Sequence, residues 1–416
     1  MTSETLPINR ATATMNGRRR RLPLAGLACT ALTAVVLSTA APALAAPAGR
    51  PAAVAAASEA SLPELNVAAL RAAVASAPAT TTAVLARISG PAGHWTGTSG
   101  VADVTTGEAV PVDGRFRLGS VTKMFIGTVV FQLAAEGQVD LDRPVQEYLP
   151  DVLPADYPAI SVRQLLDYTG GLPELTAQDL PTDPQGIRGH PGGHPHIGGV
   201  GAQAGKQTRL FDQPGTMQSY GATGYYLAAM LVEKLTGRSY QQEITDRILL
   251  PLDLRHTTAP ETDTTIPGPH THGYIDLSPA HDKSGLVDIT EQNPGAGGMI
   301  STTADLDRFL TALFRGRLLP PAQLDEMFTV PDVPYLGGSD QDPGRGRAFY
   351  GAGPMRVTLP DGVTVWGKTG STFGYTDGMF ATRDLKRRLV YSFNPITGGG
   401  NDRRLVNQII SAAFNS

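Results

Sequence analysis

Strand-forming residues gather at the two ends of this 416-residue chain, with a long run of helix and loop patterns between them. Near the start, Thr81 to Ser89 (TTAVLARIS) and His94 to Val104 read as strands separated by Gly and Pro. From Val363 onward VTVWGKTG, then DGMFATRD, then RRLVYSFNP read the same way, with a Lys/Arg turn between the last pair. Helical patterns flank both groups. Leu62 to Ser76 carries Leu65, Ala68, Ala69, Ala72 and Ala73 at helical spacing, and residues 401 to 414 carry Leu405, Ile409, Ile410 and Phe414. This order predicts an α/β (α+β) fold. One antiparallel sheet is built from both chain ends and flanked by the terminal helices, with an all-helical lobe, roughly 120–310, inserted between its halves. A cleft between lobe and sheet is the natural place for a site.

The first residues are read separately from the fold. Arg18 to Arg21 form a basic segment, Leu22 to Ala41 an apolar one, and Ala43-Leu44-Ala45 a small-x-small cleavage site. Residues 1–45 are therefore predicted to be an export signal, by a general or a twin-arginine route, and the protein to be secreted. A membrane anchor fits less well, because the apolar core is short and interrupted by Thr and Ser. Cleavage after Ala45 removes Cys29, the only cysteine, so the exported chain relies on its core rather than on disulfides. It also removes five arginines and one glutamate, moving the formal charge from −4 to −8. That mild acidity, with no basic patch, argues against a nucleic-acid partner. Residues 46–61 are Ala/Pro-rich and read as a disordered linker ahead of one domain, 62–416.

In the middle of the chain Ser161 caps a short helix (SVRQLLDYT), and Ala222 to Leu235 and Ser239 to Leu250 read as two more. Thr236-Gly237 stops the first, and Ser239 with Gln242 makes a capping box for the second. Thr302 to Phe314 is amphipathic. Between Pro181 and Lys206, 12 of 26 residues are Gly or Pro, which predicts a mobile loop. Its His190, His194 and His196 lack the rigid spacing and companion ligands of a zinc site, and no metal or other cofactor is expected.

Three stretches carry chemistry. In RLGSVTKMF, Ser120 and Lys123 stand three apart at the start of a helical run, which stacks their side chains on one face. A serine hydroxyl needs a neighbouring base to act as a nucleophile. A lysine serves only if burial and nearby positive charge bring it below its ordinary value of about 10.4. In PGTMQSYGATGYY, Tyr220 enters a helix. In WGKTGSTFGY a strand reaches Lys368, Thr369 and Gly370. Lys368 would add positive charge beside Tyr220 and Lys123, Thr369 would bind a substrate carboxylate, and Gly370 would let a substrate backbone approach. Gly362 to Thr369 also fits the phosphate-loop pattern GxxxxGK[ST], but VTVW between the glycines is a strand former and nothing after it can start a helix.

Ser-x-x-Lys, a tyrosine motif and Lys-Thr-Gly, in that order, resemble the serine β-lactamase and penicillin-binding D,D-peptidase superfamily. FRLGSVTKMF, ISVRQLLDYTGGLP, PGTMQSYGATGYYLAAMLVEKLTG, GGMISTTADLDRF and GKTGSTFGY are most similar to class C β-lactamases and soluble D-alanyl-D-alanine carboxypeptidases. The resemblance implies a serine hydrolase whose Ser120 attacks a D-Ala-D-Ala peptide or a β-lactam. Lys123 and Tyr220 move its proton, Lys368 and Thr369 serve the substrate, and the Ser120 and Ser371 N–H groups form the oxyanion hole. A D-alanyl-D-alanine carboxypeptidase is the leading expectation. A β-lactamase or an esterase on the same scaffold is the alternative, and a non-catalytic muropeptide or β-lactam binder the reading of another class. The sequence leaves the oligomeric state open. It departs from the family at one point: Tyr-x-Asn becomes Tyr220-Gly221-Ala222, and Gln218 or a water is expected in place of the missing amide.

Overall fold

The computed structural model describes residues 62–173, 209–278, 280–292, 298–336, 346–397 and 402–414. Residues 1–45, predicted to be an export signal, residues 46–61, predicted to be a linker, and residues 181–206, with the three histidines, lie outside the described residues. No helix among the described residues is long and apolar enough to cross a membrane.

Eleven strands are described: β1 (Thr81–Ser89), β2 (Trp95–Asp103), β3 (Glu108–Ala109), β4 (Phe116–Arg117), β5 (Tyr274–Asp276), β6 (Leu286–Asp288), β7 (Ile300–Ser301), β8 (Met355–Thr358), β9 (Thr364–Thr372), β10 (Tyr375–Ala381) and β11 (Arg388–Pro395). The main sheet runs β3-β2-β1-β11-β10-β9-β8, antiparallel throughout. Its centre is the β1–β11 pair, in which Leu85 faces Ser392, so the two chain ends meet in the middle of the sheet. Both strands are buried on both faces, which explains their continuous apolar character.

The helices are α1 (Val67–Ala75), α2 (Thr122–Ala135), α3 (Val145–Tyr148), α4 (Val162–Leu166), α5 (Thr223–Thr236), α6 (Tyr240–Ile244), α7 (Thr303–Phe314), α8 (Pro321–Met327) and α9 (Arg403–Phe414). The terminal pair α1 and α9 pack on each other, and Ser99 Oγ of β2 donates to Val74 O of α1. Buried Arg387 donates to the carbonyls of Ala413 and Pro63, tying both chain ends to the sheet. On the opposite face Arg87 Nε donates to Thr303 Oγ1 at 3.1 Å, and Arg388 grips Asp307 at 2.7 and 3.1 Å, docking α7.

Local signals set the boundaries. Asn66 Oδ1 accepts from Ala69 N, so α1 begins at Val67 rather than Leu62. Gly237, at φ +70°, ends α5 as its sequence predicts. Ser161 and Gln164 form a complete capping box on α4. At α6 only the forward half forms, Ser239 Oγ accepting from Gln242 N, and the helix passes into a π-helical turn over Thr245–Leu249.

The inserted lobe is not wholly helical. It carries the β5–β6 hairpin, and β7 pairs with β4. These strands are two or three residues long, too short to show a period amid the Thr/Pro/His-rich sequence around them. At the supposed phosphate loop, β9 runs unbroken from Thr364 to Thr372 and turns at Gly374 (φ +73°) into β10. There is no loop there to cradle a phosphate.

Candidate active site

Ser120 lies in a 3₁₀ turn, Gly119–Val121, that leads directly into α2. α2 is buried on nearly every side, and its Phe125 stacks on Phe309 of α7 at 3.9 Å, so the turn sits on a fixed support. The residues just before it are equally constrained. Leu118 N donates to Met299 O, and buried Arg117 donates twice to Thr290 O. Sequence reasoning did not single out Arg117.

Lys123 Nζ donates to Ser120 Oγ at 3.0 Å, and Tyr220 OH hydrogen-bonds the same oxygen at 2.7 Å. Tyr220 enters from the segment before α5, 100 residues further along the chain. Lys368 Nζ lies 4.6 Å from the centroid of the Tyr220 ring and donates to Thr369 O at 3.0 Å. Ser120, Lys123 and Tyr220 thus meet at one hydroxyl, and Lys368, from a third stretch, stands against the Tyr220 ring.

Burial alone would push the Tyr220 phenol upward. The charges of Lys123 and Lys368, with the hydrogen bonds to Ser120 and Lys123, overcome it and bring the pKa down to about 8. At pH 7 roughly a tenth of such phenols are ionised. Lys368, only 1% exposed, is pushed below its ordinary value by burial and by Lys123, against the pull of Tyr220.

Three further tyrosines complete the cage. The Tyr168 ring lies 4.9 Å from Tyr220, 5.5 Å from Tyr225 and 4.9 Å from Tyr350, and Tyr350 stacks on Tyr220 at 5.1 Å. Lys123 lies over Tyr225 as well as Tyr220, and Lys368 over Tyr350. The rings exclude water while their faces favour cations. Nothing in local sequence marks Tyr168, Tyr225 or Tyr350 for this place, since each reads as ordinary core.

The edge where the resemblance places an oxyanion hole is built backbone to backbone. Gly119 has φ +47°, and a Cβ there would lie 2.5 Å from Ser371 O and 2.7 Å from Ser371 N. A Cβ on Gly370 would lie 2.0 Å from Leu118 O and 2.6 Å from Asp377 Oδ2. The close approach expected of a substrate at Gly370 is therefore made by the chain itself, and Gly370 is buried. Thr369 is half-buried and Ser371 exposed at the strand end. Gln292, which sequence reasoning missed, braces that end: its Nε2 donates to Phe373 O at 2.6 Å and its Oε1 accepts from Thr372 Oγ1 at 2.8 Å.

Gln218 cannot replace the absent asparagine. It is fully buried, its Nε2 donates to Asp167 O and Tyr350 O, and its Oε1 accepts from Phe349 N and Tyr350 N. Two amide hydrogens and two lone pairs are its whole capacity, and all are used. Ala222 sits at the N-terminal boundary of α5 without a capping side chain. Among the described residues no group of three or more His, Cys, Asp or Glu is placed to hold a metal.

A serine held by lysine and tyrosine between a helical lobe and an antiparallel sheet defines the class: a serine hydrolase of the β-lactamase and penicillin-binding-protein superfamily. The beta-lactamase family model matches residues 69–410, and the chain belongs to that family. A D-stereospecific amidohydrolase from Streptomyces sp. is 35% identical, with a TM-score of 0.70 over 84% of this chain and 97% of its own. A D-amino acid amidase from Ochrobactrum anthropi SV3, complexed with L-phenylalanine amide, is 26% identical, with a TM-score of 0.68 over 83% and 96%. Penicillin-binding protein 4 of Amycolatopsis lactamdurans is 31% identical over 51% of this chain, and a beta-lactamase of Yersinia enterocolitica 27% identical over 60%. These matches span 54% and 60% of the two relatives' own lengths.

Proposed function

We propose that the protein is a D-stereospecific amide hydrolase that works through an acyl-enzyme on Ser120. The observation that carries the reading is the convergence of Lys123 Nζ and Tyr220 OH on Ser120 Oγ at 3.0 and 2.7 Å. Ionised Tyr220, held beside the two lysines, takes the Ser120 proton as Oγ bonds to the substrate carbonyl carbon. The oxyanion that forms is received by the backbone N–H groups of Ser120 and Ser371. The proton passes to the leaving nitrogen, the C–N bond breaks, and ammonia or an amine departs. Water then repeats the sequence on the ester and frees the acid.

Two features favour D-amino acid amides as substrates. Solved relatives aligned over more than four-fifths of this chain bear the names D-stereospecific amidohydrolase and D-amino acid amidase. Lys368 is buried against Tyr220, so it lends charge to the phenol rather than a contact to a substrate carboxylate. The second reading is a D-alanyl-D-alanine carboxypeptidase, favoured by half-buried Thr369 beside exposed Ser371, which together offer hydroxyls to a terminal carboxylate. We further read residues 1–45 as an export signal, so that the enzyme acts outside the cell.

The test is turnover of D-phenylalanine amide, its L enantiomer, a D-Ala-D-Ala peptide and a penicillin, with intact mass recorded throughout and Ser120→Ala as control. Ammonia release from the D-amide alone supports the first reading, and D-alanine release from the peptide the second. Rapid penicillin loss would make the protein a β-lactamase. No turnover and no Ser120 adduct would make it a binder. N-terminal sequencing of secreted protein tests export, with Ala46 expected first.

A further inference from the structure

Asp377 lies in the middle of β10, 0% exposed, and neither of its carboxylate oxygens has a hydrogen-bond partner among the described residues. The register sets it opposite Gly370 on β9 and Ser392 on β11, whose buried Oγ is likewise unpartnered. Residues directly opposed, and residues two apart along a strand, share a sheet face. Asp377, Gly370 and Lys368 therefore face the same way, with Lys368 the diagonal neighbour of Asp377, a spacing that long side chains span. The missing Gly370 side chain is what admits the carboxylate, since a Cβ there would lie 2.6 and 2.8 Å from its two oxygens. The same point is 2.0 Å from Leu118 O, so the carboxylate lies directly beneath the turn that carries Ser120.

A carboxylate buried without hydrogen bonds destabilises a fold unless a charge compensates it. The cation in reach is Lys368. Its ammonium is faced on the other side by the Tyr220 and Tyr350 rings, with Lys123 beyond Tyr220. From β11 the other titratable group that feels Asp377 is Tyr391, on the opposite sheet face.

We propose that Asp377 is the counter-charge of Lys368, a positioning residue that holds the ammonium protonated behind Tyr220 and so keeps the phenol ready to accept the Ser120 proton. The proposal rests on the hydrolase reading above. Burial drives Asp377 upward and Lys368 downward, and the charge of each opposes the other's displacement. Without the carboxylate the lysine loses its proton at lower pH, and Tyr220 loses one of the two charges that keep it acidic.

The experiment is the pH dependence of Ser120 sulfonylation by phenylmethylsulfonyl fluoride, followed by intact mass, for wild type and Asp377→Asn. The expected result is an alkaline limb moved to lower pH by about one unit or more, with at least a tenfold lower rate at pH 8 and recovery on acidification. Asp377→Ser, smaller and neutral, is expected to shift the limb the same way should the amide variant not accumulate. In a Lys368→Arg background, where the cation cannot titrate, Asp377→Asn should leave the limb unmoved. Superimposable profiles, or a uniform loss of rate with unmoved limbs, would overturn the proposal. A wild-type chain with no label on Ser120 would overturn the hydrolase reading itself, and this proposal with it.

Discussion

Gly119 and Ser371 touch backbone to backbone, with room for no side chain between them: a Cβ on Gly119 would meet Ser371 O at 2.5 Å. The turn carrying the nucleophile and the strand end opposite it are thereby set at a fixed separation. Gly119→Ala should open that gap and strain a residue at φ +47°, a conformation that costs a residue with a Cβ about 1–2 kcal/mol. Acylation of Ser120 should fall by roughly tenfold or more, since each 1.4 kcal/mol is a factor of ten. An unchanged acylation rate would mean that the contact does not set the site.

Tyr220 titrates at about 8, so its phenolate grows as pH rises through that value. The acylation rate should climb with pH through about 8, ahead of the alkaline fall set by Lys368, and lose that rising limb in Tyr220→Phe. The loss should be roughly 10²–10⁴-fold, the usual contribution of a general base. Stopped-flow acylation across pH 6–9 measures both.

Ala222 stands where the resemblance to the superfamily leads one to expect an asparagine, and Gln218 is too fully engaged to replace it. Ala222→Asn should alter the preference for the acyl side of the substrate and change acylation by roughly tenfold to a hundredfold, equivalent to one hydrogen bond to a charged group. Comparing kcat/KM over a set of D-amides with varied acyl groups tests this; identical profiles would refute it.

Gln218→Leu would strand two carbonyls and two N–H groups inside the protein. With each buried orphan costing roughly 1–3 kcal/mol, the loss should exceed about 3 kcal/mol in urea unfolding. Activity should fall with stability, because Gln218 ties the Tyr220 segment to Tyr350.

Asp167 is buried, and burial lifts its carboxyl to about 6 against the hydrogen bonds from Thr169 that pull it down. A raised carboxyl favours the folded state most below its unfolded value near 3.8, and that advantage is lost as pH rises through about 6. Asp167→Asn should therefore flatten the stability profile between about pH 4 and 6 and add roughly 1–3 kcal/mol near pH 8. Thermal melts from pH 4 to 8 would detect it.

Much of this was legible in the chain. Ser120 and Lys123 lie three residues apart, so helical geometry alone brings them into contact. Strand periods at both ends announced the antiparallel sheet, and Gly237 and Ser161 marked helix ends by chemistry local to them. The β5–β6 hairpin was not legible, because three residues are too few to display a period.

The sequence by itself determined the candidate site residues and the elements that carry them, because side-chain spacing along one helix or strand is a local property. Tertiary structure alone decided what surrounds them. Tyr168 and Tyr350 come from distant segments, Gln218 saturates its amide on two of them, and Asp377 shares a sheet face with Lys368 only through the β9–β10 register. Burial, and the charge that burial concentrates on Tyr220, are sums over neighbours that no stretch of sequence contains.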